Sequence, residues 1–421
     1  MSRAGAAAGA HAPVALYVHV PFCLSICPYC DFVVYAGKAT RGPSNRVGDF
    51  LAALIAEFRL RGELARLRFG APPGLASVYI GGGTPSLLSA AQMGLLLGQV
   101  ERSFGLAPGA EITLEVNPGP GERGELAGFR AAGVNRLSIG AQSMVAAELR
   151  RLGRRHSPAD VAAAVREARA AGFTNLSVDL LYDVPGQTLE SWRQSLAAVL
   201  ELAPEHVSAY ALDLAGPAGT ADHLTLRPGA ARWRERARSE QDEDRSAACY
   251  EIVDELLGAA GLEWYELSNW ARPGYESRHN LGYWRWLPYE AVGPGAHAFD
   301  GARTRRWNAA RLDRYVAALT AEQVPELPPG GSETLDEATR RAERAILALR
   351  TRTGLPAAQA RLPAFAGALA WARSAGLLES AGSLESSASP GEGAVRLTLR
   401  GRLLASELFW RLLPDALAET G

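Results

Sequence analysis

The stretch ALYVHVPFCLSICPYCDF, residues 15–32, decides the fold because it joins a strand pattern directly to a cluster of cysteines. Its first six residues are mostly apolar and include two valines, which predicts a β-strand over Ala15–Val20. Cys23, Cys27 and Cys30 follow within eight residues. Three thiolates this close together can hold one compact metal centre beside the end of the strand.

The kind of metal centre follows from the number of ligands. A structural zinc site takes four Cys or His ligands, but His19 lies on the strand itself and the sequence has no second cysteine pair. The remaining cysteine, Cys249, falls in a segment whose helical spacing predicts a small buried residue. Unligated thiols crowded in one loop would be open to oxidation. The pattern therefore favours a [4Fe–4S] cluster, in which three thiolates leave one iron open to an outside ligand.

Outward from this loop, strand and helix patterns alternate along the chain. Strands are predicted at Ala15–Val20, Ser77–Gly81, Ile112–Val116, Arg136–Ala141, Leu176–Tyr182 and His206–Leu214. Helices are predicted at Val47–Leu67, Ala91–Phe104, Gly124–Ala132, Ala159–Ala171 and Leu189–Leu202. Alternation of this kind predicts an α/β fold with a parallel sheet. We expect a partial (β/α)6 TIM-like barrel, with a doubly wound open sheet as the alternative.

Polar and glycine residues mark the carboxyl ends of the predicted strands, where such barrels build their active sites. They are Cys23 after the first strand, Gly81, Gly82 and Gly83 after the second, Glu115 and Asn117 on the third, Gln142 on the fourth and Asp179 on the fifth. Their common placement predicts one site at this end of the barrel.

Composition divides the rest of the chain. We expect residues 1–13 to be a disordered Ala/Gly tail, residues 14–215 to form the barrel, and residues 216–325 to hold a lid or linker and an aromatic extension. The Arg-, Gly- and Pro-rich part at 216–239 predicts a weakly structured loop. Residues 333–415 predict a separate helical domain, and the strand-like Ala394–Leu399 would give it a winged-helix-like form.

Charge and hydropathy exclude some classes of partner. Lys and Arg number 44 and Asp and Glu 45, so no overall field would attract nucleic acid, and we expect none as a partner. No run approaches the roughly 20 apolar residues of a membrane helix. We expect a soluble, cytoplasmic protein, and the sequence leaves open whether it forms a homodimer.

Four stretches of the sequence carry a resemblance to a known family. The Cys-x3-Cys-x2-Cys spacing, with Tyr29 before its last cysteine, resembles the signature of the radical S-adenosylmethionine (SAM) superfamily. The stretches Tyr17–Cys23 and Gly81–Ser86 are similar to the subgroup that contains oxygen-independent coproporphyrinogen III oxidase, and Arg278–Trp284 resembles the His-Asn-x-x-Tyr-Trp motif of the heme chaperone family HemW. The resemblance covers nearly all of the chain after Pro13.

The resemblance implies that the amino and carboxyl groups of SAM chelate the open iron. The residues it assigns to cofactor binding are Tyr17, Phe32, Gly82, Gly83, Thr84, Glu115, Gln142, Arg154 and Asp179. Glycines let the backbone approach a ligand, and a carboxylate such as Glu115 can accept from two ribose hydroxyls. Gln142, Arg154 and Asp179 match residues that contact a second cofactor molecule in the oxidase.

Each assignment has a structural alternative. The glycines could form a tight strand exit, and Glu115 could pair with an arginine at the barrel mouth. Gln142 and Asp179 could be structural polar residues. Arg154 could lie on a solvated face with its neighbours Arg151 and Arg155.

Two departures distinguish the chaperone from the oxidase. The oxidase pattern continues Cys-x-Cys after the third ligand, whereas Asp31-Phe32 follows Cys30 here, and the oxidase motif comes after a longer N-terminal region. We therefore expect a heme-binding protein that passes heme to acceptor proteins, among them membrane-associated respiratory enzymes. Coproporphyrinogen III oxidase, or another radical enzyme acting on a porphyrin, is the alternative, as is an interaction protein with a structural cluster.

His279 is the main candidate for a heme ligand, because a neutral imidazole can bind heme iron. Tyr283, Trp284 and Trp286 could pack on a porphyrin face. Alternatively, His279 and Asn280 hydrogen-bond a turn while the aromatic side chains fill a domain interface. His297 is a second candidate ligand.

Overall fold

One mixed sheet of 12 strands organises the chain in the computed structural model. The structure describes residues 10–42, 44–70, 74–214, 229–321, 326–379 and 393–414. The strands are β1 (Ala15–Val20), β2 (Leu75–Gly82), β3 (Leu106–Val116), β4 (Arg136–Gln142), β5 (Leu176–Tyr182), β6 (His206–Ala211), β7 (Glu263–Glu266), β8 (Asn269–Ala271), β9 (Tyr289–Val292), β10 (His297–Phe299), β11 (Thr304–Asn308) and β12 (Gly330–Thr334), with a separate pair β13 (Leu355–Pro356) and β14 (Ala394–Val395).

Helices follow most strands of the first half of the chain and dominate its end. They are α1 (Val47–Phe69), α2 (Ala90–Phe104), α3 (Leu126–Ala132), α4 (Ala146–Arg151), α5 (Pro158–Ala170), α6 (Leu189–Glu201), α7 (Ala230–Ser239), α8 (Glu243–Ala259), α9 (Arg278–Trp284), α10 (Leu312–Leu319), α11 (Glu337–Leu349), α12 (Ala357–Ala360), α13 (Ala366–Ser374), α14 (Leu399–Leu403) and α15 (Ala405–Leu412). None of the helices that the structure describes is both long and apolar enough to cross a membrane.

The strand order excludes a doubly wound sheet. Strands β1 to β6 lie side by side in chain order, and each is parallel to its neighbour. A doubly wound sheet reverses its strand order at one point, and no reversal occurs between β1 and β6. The prediction of an α/β fold with a partial six-unit barrel is confirmed.

The barrel strands alternate between apolar residues that face outward and polar residues that face inward. On β4, Leu137 and Ile139 are fully buried in the main core under the helices, whereas Arg136 and Ser138 line an interior cavity. The interior of a TIM barrel is usually filled with branched apolar side chains. A polar inner face therefore marks this barrel as one that encloses a binding site.

Side chains that precede the crossover helices define where these helices begin. Ser89 accepts a hydrogen bond from the backbone of Gln92, whose side chain accepts one in return, so α2 starts with a capping box. The same reciprocal arrangement starts α5 at Ser157 and α6 at Thr188. Each cap satisfies backbone N–H groups that would otherwise lack partners, and this explains why the predicted helix starts agree with the structure within two residues.

The segment predicted to be a lid or linker is more regular than expected. Residues 215–228 lie outside the described residues, but 230–239 form α7, which packs Trp233 and Ala237 on Leu212 and Leu214. The apolar stripe of α7 is too short to stand out in an Arg- and Glu-rich sequence. Strands β7 to β12 extend the barrel sheet at both of its ends, and their length of three to five residues is too short to show a period of two.

The predicted disordered tail is ordered at its end. Residues 1–9 lie outside the described residues. His11 donates its backbone N–H to the carbonyl of Asp300 at 3.1 Å, and Pro13 is buried. The described chain thus joins the sheet region before β1 begins.

The C-terminal residues form a helical unit with its own apolar core, built mainly by α11, α13 and α15. Its strands β13 and β14 pair antiparallel over two residues each. Arg402 of α14 makes two hydrogen bonds, of 2.8 and 2.7 Å, to the carboxylate of Asp254 on α8. This bidentate ion pair fixes the helical unit against the barrel.

Candidate functional site

A cavity of about 420 Å³ runs through the partial barrel, with the cysteine loop at the carboxyl ends of its strands. All three clustered cysteines line it. The structure also brings to its wall Phe32, Gly82, Gly83, Thr84, Glu115, Gln142, Arg154 and Asp179. Tyr17, Gly81, His279 and His297, which were also singled out in the sequence, do not line the cavity. Its volume falls within the range of pockets that bind cofactors and other small molecules.

Backbone hydrogen bonds hold the base of the cysteine loop. The N–H of Cys23 donates to the carbonyl of Tyr35 at 2.9 Å, and the N–H of Tyr35 donates to the carbonyl of Pro21 at 2.6 Å. Thr40 Oγ1 donates to the carbonyl of Cys23 at 3.0 Å. His19, buried beneath the loop, contacts the carbonyl of Val33 through Nε2 at 2.7 Å. These contacts return the chain to the end of β1 after the third cysteine.

Two of the cysteine sulfurs accept hydrogen bonds from one connected network. Thr84 Oγ1 donates to Cys23 Sγ at 3.6 Å, and Arg154 Nη1 donates to Cys27 Sγ at 3.6 Å. Asn117 joins the two donors: its Nδ2 donates to Thr84 Oγ1 at 2.9 Å, and its Oδ1 accepts from Arg154 Nη2 at 2.6 Å. Arg154 therefore faces the cavity, and the solvated-face alternative does not describe its contacts.

The donor set fits a [4Fe–4S] cluster. No three His, Cys, Asp or Glu side chains of the described ranges lie close enough to hold a single metal ion. A cubane instead binds each cysteine through a separate iron. Burial raises the pKa of Cys23 to about 11 and that of Cys30 to about 12. At neutral pH these thiols would therefore be protonated in the absence of metal, and the positive charge of bound iron would favour the thiolates.

Packing requires the glycines at the end of β2. Gly82 has φ +113°, and a Cβ there would lie 2.6 Å from the His19 ring. A Cβ on Gly83 would lie 2.7 Å from the carbonyl oxygen of Phe22. The structural alternative, in which the glycines form a tight strand exit, therefore describes their packing. The same turn also brings backbone atoms to the cavity wall beside the cysteines.

Glu115 projects from β3 into the cavity without an arginine partner among the described residues. Its carboxylate accepts from Tyr79 Oη at 3.0 Å and from the Gly82 N–H at 2.9 Å. Burial raises the pKa of Glu115 to about 7, although the N–H of Gly82 and the Tyr79 hydroxyl favour its charged form and Asp179 opposes it. Glu115 can thus change its protonation state near neutral pH.

Asp179 and Gln142 occupy the wall beyond Glu115. Asp179 accepts from Ser138 Oγ at 2.8 Å and from Ser177 Oγ at 2.9 Å, and burial raises its pKa against these donors. Gln142 has φ +66° at a bulge of β4, an unfavourable conformation for a residue with a side chain. Strain of this kind is common at binding sites.

Tyr17 and Phe32 differ in how they meet the cavity. Tyr17 contacts His19 Nδ1 through its hydroxyl at 3.1 Å and stacks on Tyr79 at 6.3 Å between ring centroids, so Tyr79 separates it from the cavity. Phe32 lies at the mouth with 62% of its surface exposed. An exposed phenyl ring beside the cysteines offers an apolar surface for a ligand.

His279 belongs to α9, which closes the amino end of the barrel. Its Nδ1 contacts Ser77 Oγ at 3.0 Å, and its Nε2 contacts Tyr283 Oη at 2.7 Å. Only 1% of the residue is exposed, and burial lowers its pKa to about 3. Both ring nitrogens of His279 therefore already have hydrogen-bond partners. In this conformation neither nitrogen is free to bind heme iron, which the expected role as heme ligand would require. The alternative, in which His279 holds a turn, describes its contacts.

The neighbouring aromatic residues fill the space between α9 and the extension of the sheet. Tyr283 meets Tyr289 edge to face at 4.6 Å, and Trp286 meets Phe299 at 4.7 Å. His297 lies on β10 away from the cavity, with an exposed side chain stacked on Trp307 at 5.7 Å. No hydrogen bond to its ring nitrogens is found within the described ranges.

Sequence reasoning missed several polar residues of the cavity. Tyr79, Arg136, Ser138, Ser208 and Asn280 line it. On the strands a signal existed, because polar residues recur at every second position: Arg136, Ser138, Gly140 and Gln142 all face inward on β4. Asn280 had no such signal, since α9 reaches the cavity only through the tertiary fold.

The comparisons with known proteins agree with this geometry. The sequence model of the Radical SAM superfamily matches residues 17–199. The protein named heme chaperone HemW from Mycobacterium tuberculosis is 42% identical over 347 residues, which cover 82% of this chain and 84% of that protein. HemW of Escherichia coli is 38% identical over 72% of this chain and 75% of its own, and HemW of Bacillus subtilis is 33% identical over 95% and 99%.

A solved structure is similar over most of the chain. Coproporphyrinogen III oxidase (HemN) from Escherichia coli, described as a radical SAM enzyme, superposes with a TM-score of 0.75, covering 95% of this chain and 90% of that chain. The two sequences are 22% identical. At this identity the likeness establishes the fold.

Proposed function

Because this chain belongs to the HemW family of the radical SAM superfamily, we propose that it is a heme chaperone that binds a [4Fe–4S] cluster, SAM and heme. It would pass the heme to acceptor proteins, among them membrane-associated respiratory enzymes. One observation carries the proposal: three cysteines line one polar cavity, and two of their sulfurs accept hydrogen bonds from a network built on Asn117.

The residues that would hold the cofactors follow from the cavity wall. Cys23, Cys27 and Cys30 would bind three irons of the cluster, leaving the fourth for the amino and carboxyl groups of SAM. Glu115 would accept from the ribose hydroxyls, and Gly82 to Thr84 would supply backbone contacts. Once bound and reduced by an external electron donor, the cluster would supply the one electron that reductive cleavage of a carbon–sulfur bond of SAM requires.

For the heme iron, we propose His297 as a better ligand than His279. His297 is exposed on β10 and stacks on Trp307, whereas His279 is buried with both nitrogens in use. A ligand must present an unshared nitrogen lone pair to the iron.

We expect His297→Ala to weaken heme binding and to change the Soret band. In His279→Ala we expect a loss of thermal stability, because the variant leaves buried partners unsatisfied.

The function is tested by heme transfer from the anaerobically reconstituted full chain to an apo-hemoprotein. The wild type should bind heme and transfer it, with the Soret band of the acceptor as the readout. Simultaneous Ala substitution of the three clustered cysteines should impair binding or transfer, whereas the matched control Cys249→Ala should behave as wild type. Absence of heme binding would contradict the proposal, and so would 5′-deoxyadenosine formed together with an altered porphyrin.

A further inference from the structure

Arg136 is a buried cation whose side chain has no hydrogen-bond partner among the described residues. It begins β4, only 2% of it is exposed, and it lines the cavity near the amino end of the barrel. Its Nε atom is buried without a hydrogen-bond partner. Across the described ranges, its side chain makes no hydrogen bond and no ion pair in contact, although its charge acts to lower the pKa of the Asp179 carboxyl in the same cavity.

An unpaired buried guanidinium is unusual because charged side chains are rarely buried unless they are paired. The other buried arginine of the described residues, Arg61 on α1, follows that rule: it contacts Glu57 at 2.6 Å and Asn308 at 2.8 Å. Arg136 is buried to a similar degree but makes no such contacts. Its side chain is therefore positioned for an anion that binds from the cavity.

Around Arg136, the floor of the cavity holds a further side chain that can donate a hydrogen bond to a ligand. Asn280 of α9 reaches the cavity from below. His206 is neutral, because burial lowers its pKa well below 6.5, and its nitrogens contact Ser177 at 2.8 Å and Tyr265 at 2.8 Å. Two carboxylates lie on this side, and both have donors: Asp179 accepts from Ser138 and Ser177, and Glu111 accepts from the N–H groups of Arg278 and His279. Positive charge at the floor thus comes from Arg136.

We propose that Arg136 and Asn280 form a carboxylate-binding subsite at the floor of the cavity. The planar guanidinium matches a carboxylate in a bidentate geometry, and the amide of Asn280 can add a donor. The identity of the carboxylate rests on the proposed function. It is either a propionate of the porphyrin or the methionyl carboxylate of a SAM molecule.

Position along the barrel excludes one source of the carboxylate, a SAM molecule bound to the open iron. Arg136 and Gln142 bound β4, so at about 3.3 Å per residue they lie roughly 20 Å apart along the strand. A SAM molecule that chelates the open iron keeps its carboxylate at the mouth. The floor could therefore take the carboxylate of a second SAM molecule, or a propionate that reaches down from the mouth.

The subsite is tested by equilibrium titration of the reconstituted full chain with two ligand pairs: heme and its dimethyl ester, and SAM and decarboxylated SAM. If the floor binds a propionate, Arg136→Gln should weaken heme binding about tenfold to a hundredfold and leave the ester unaffected. The matched control Arg150→Gln, an exposed residue of α4, should change neither.

The remaining outcomes are decisive as well. If Arg136→Gln weakens SAM binding but not that of decarboxylated SAM, the subsite stands and its ligand is the cofactor. If the wild type binds no heme, the proposed function fails, and the SAM pair still decides the subsite. If Arg136→Gln changes the affinity for neither heme nor SAM, the proposed subsite is wrong. Arg136→Lys keeps the positive charge and should recover part of the lost affinity. Thermal denaturation of both variants shows whether they are folded.

Discussion

At the scale of single residues, Arg154 connects the cysteine loop to the barrel wall. It donates to Cys27 Sγ, to Asn117 Oδ1 and to the carbonyl of Gly140 at 3.1 Å. A hydrogen bond from a cation to a cluster thiolate favours the reduced cluster, which carries more negative charge. Removing it should lower the reduction potential.

We therefore expect Arg154→Gln to shift the midpoint potential of the cluster negative by about 60 mV, which corresponds to about 1.4 kcal/mol for one electron. The measurement is a redox titration of the reconstituted protein followed by EPR. The control is Arg155→Gln, since Arg155 is exposed next to it in the chain. A potential equal to that of wild type would show that Arg154 does not act on the cluster.

Glu115 gives a pH-dependent prediction. Burial raises its pKa from 4.5 to about 7, so the carboxylate is protonated below this pH and has lost an acceptor for ribose hydroxyls. SAM binding should strengthen by about threefold to tenfold between pH 6 and pH 8. Because the amino group of SAM also titrates, the wild-type profile must be compared with that of Glu115→Gln by calorimetry. Two parallel profiles would remove Glu115 from the binding site.

Residues that belong to sequence motifs were predictable, and those defined by the fold were not. The three cysteines, the glycines at the end of β2 and Glu115 stand at strand ends, where the chain order alone indicates a site. The partners of His279 could not be predicted, because Ser77 lies 202 residues away in sequence. Without them, His279 resembled a free ligand.

At the scale of secondary structure, α7 covers the cysteine loop. Arg234 Nε donates to the carbonyl of Pro28 at 3.0 Å, its Nη2 donates to the carbonyl of Cys30 at 3.0 Å, and the guanidinium pairs with Asp31. The neighbouring Trp233 lies 6.3 Å from the ring of Tyr29. These contacts fix the loop from its outer side.

We expect Arg234→Gln to bind the cluster less firmly, because the loop carbonyls lose their shared donor. Release of iron to a chelator should be several times faster than in wild type. The matched control is Arg236→Gln on the same helix, whose side chain is 84% exposed and pairs with Glu240. Equal release rates in the three proteins would mean that α7 does not support the loop.

Element prediction succeeded where the periodicity was long. The barrel strands and the longer crossover helices overlap their predicted ranges because each shows a sustained pattern, and three of these helices begin with a capping box. Strand β3 begins six residues before its predicted start, β6 ends three residues before its predicted end, and the short α4 was not predicted. Prediction failed for α7 and for β7 to β12, whose apolar patterns span too few residues. The structure of these segments is determined by packing against the barrel.

At the scale of the whole molecule, a single-wound parallel sheet forms a polar cavity with two ends. The cysteine loop lies at the carboxyl ends of the strands, and α9 closes the amino ends through Ser77 and Glu111, which accepts from the N–H groups of Arg278 and His279 at 3.1 Å. Alternation of strand and helix in the sequence predicted the barrel. It could not predict that the motif around His279 would form the floor.

The central claim is that Cys23, Cys27 and Cys30 hold a [4Fe–4S] cluster with one iron open to SAM. It is tested most directly by EPR of the dithionite-reduced, anaerobically reconstituted chain, recorded with and without SAM and combined with iron and sulfide analysis. Wild type and Cys249→Ala should hold about four irons and four sulfides and give a signal that changes when SAM is added. Replacing the three cysteines by Ala should abolish the signal. A wild-type signal that SAM leaves unchanged, or a cluster that survives the triple substitution, would contradict the account.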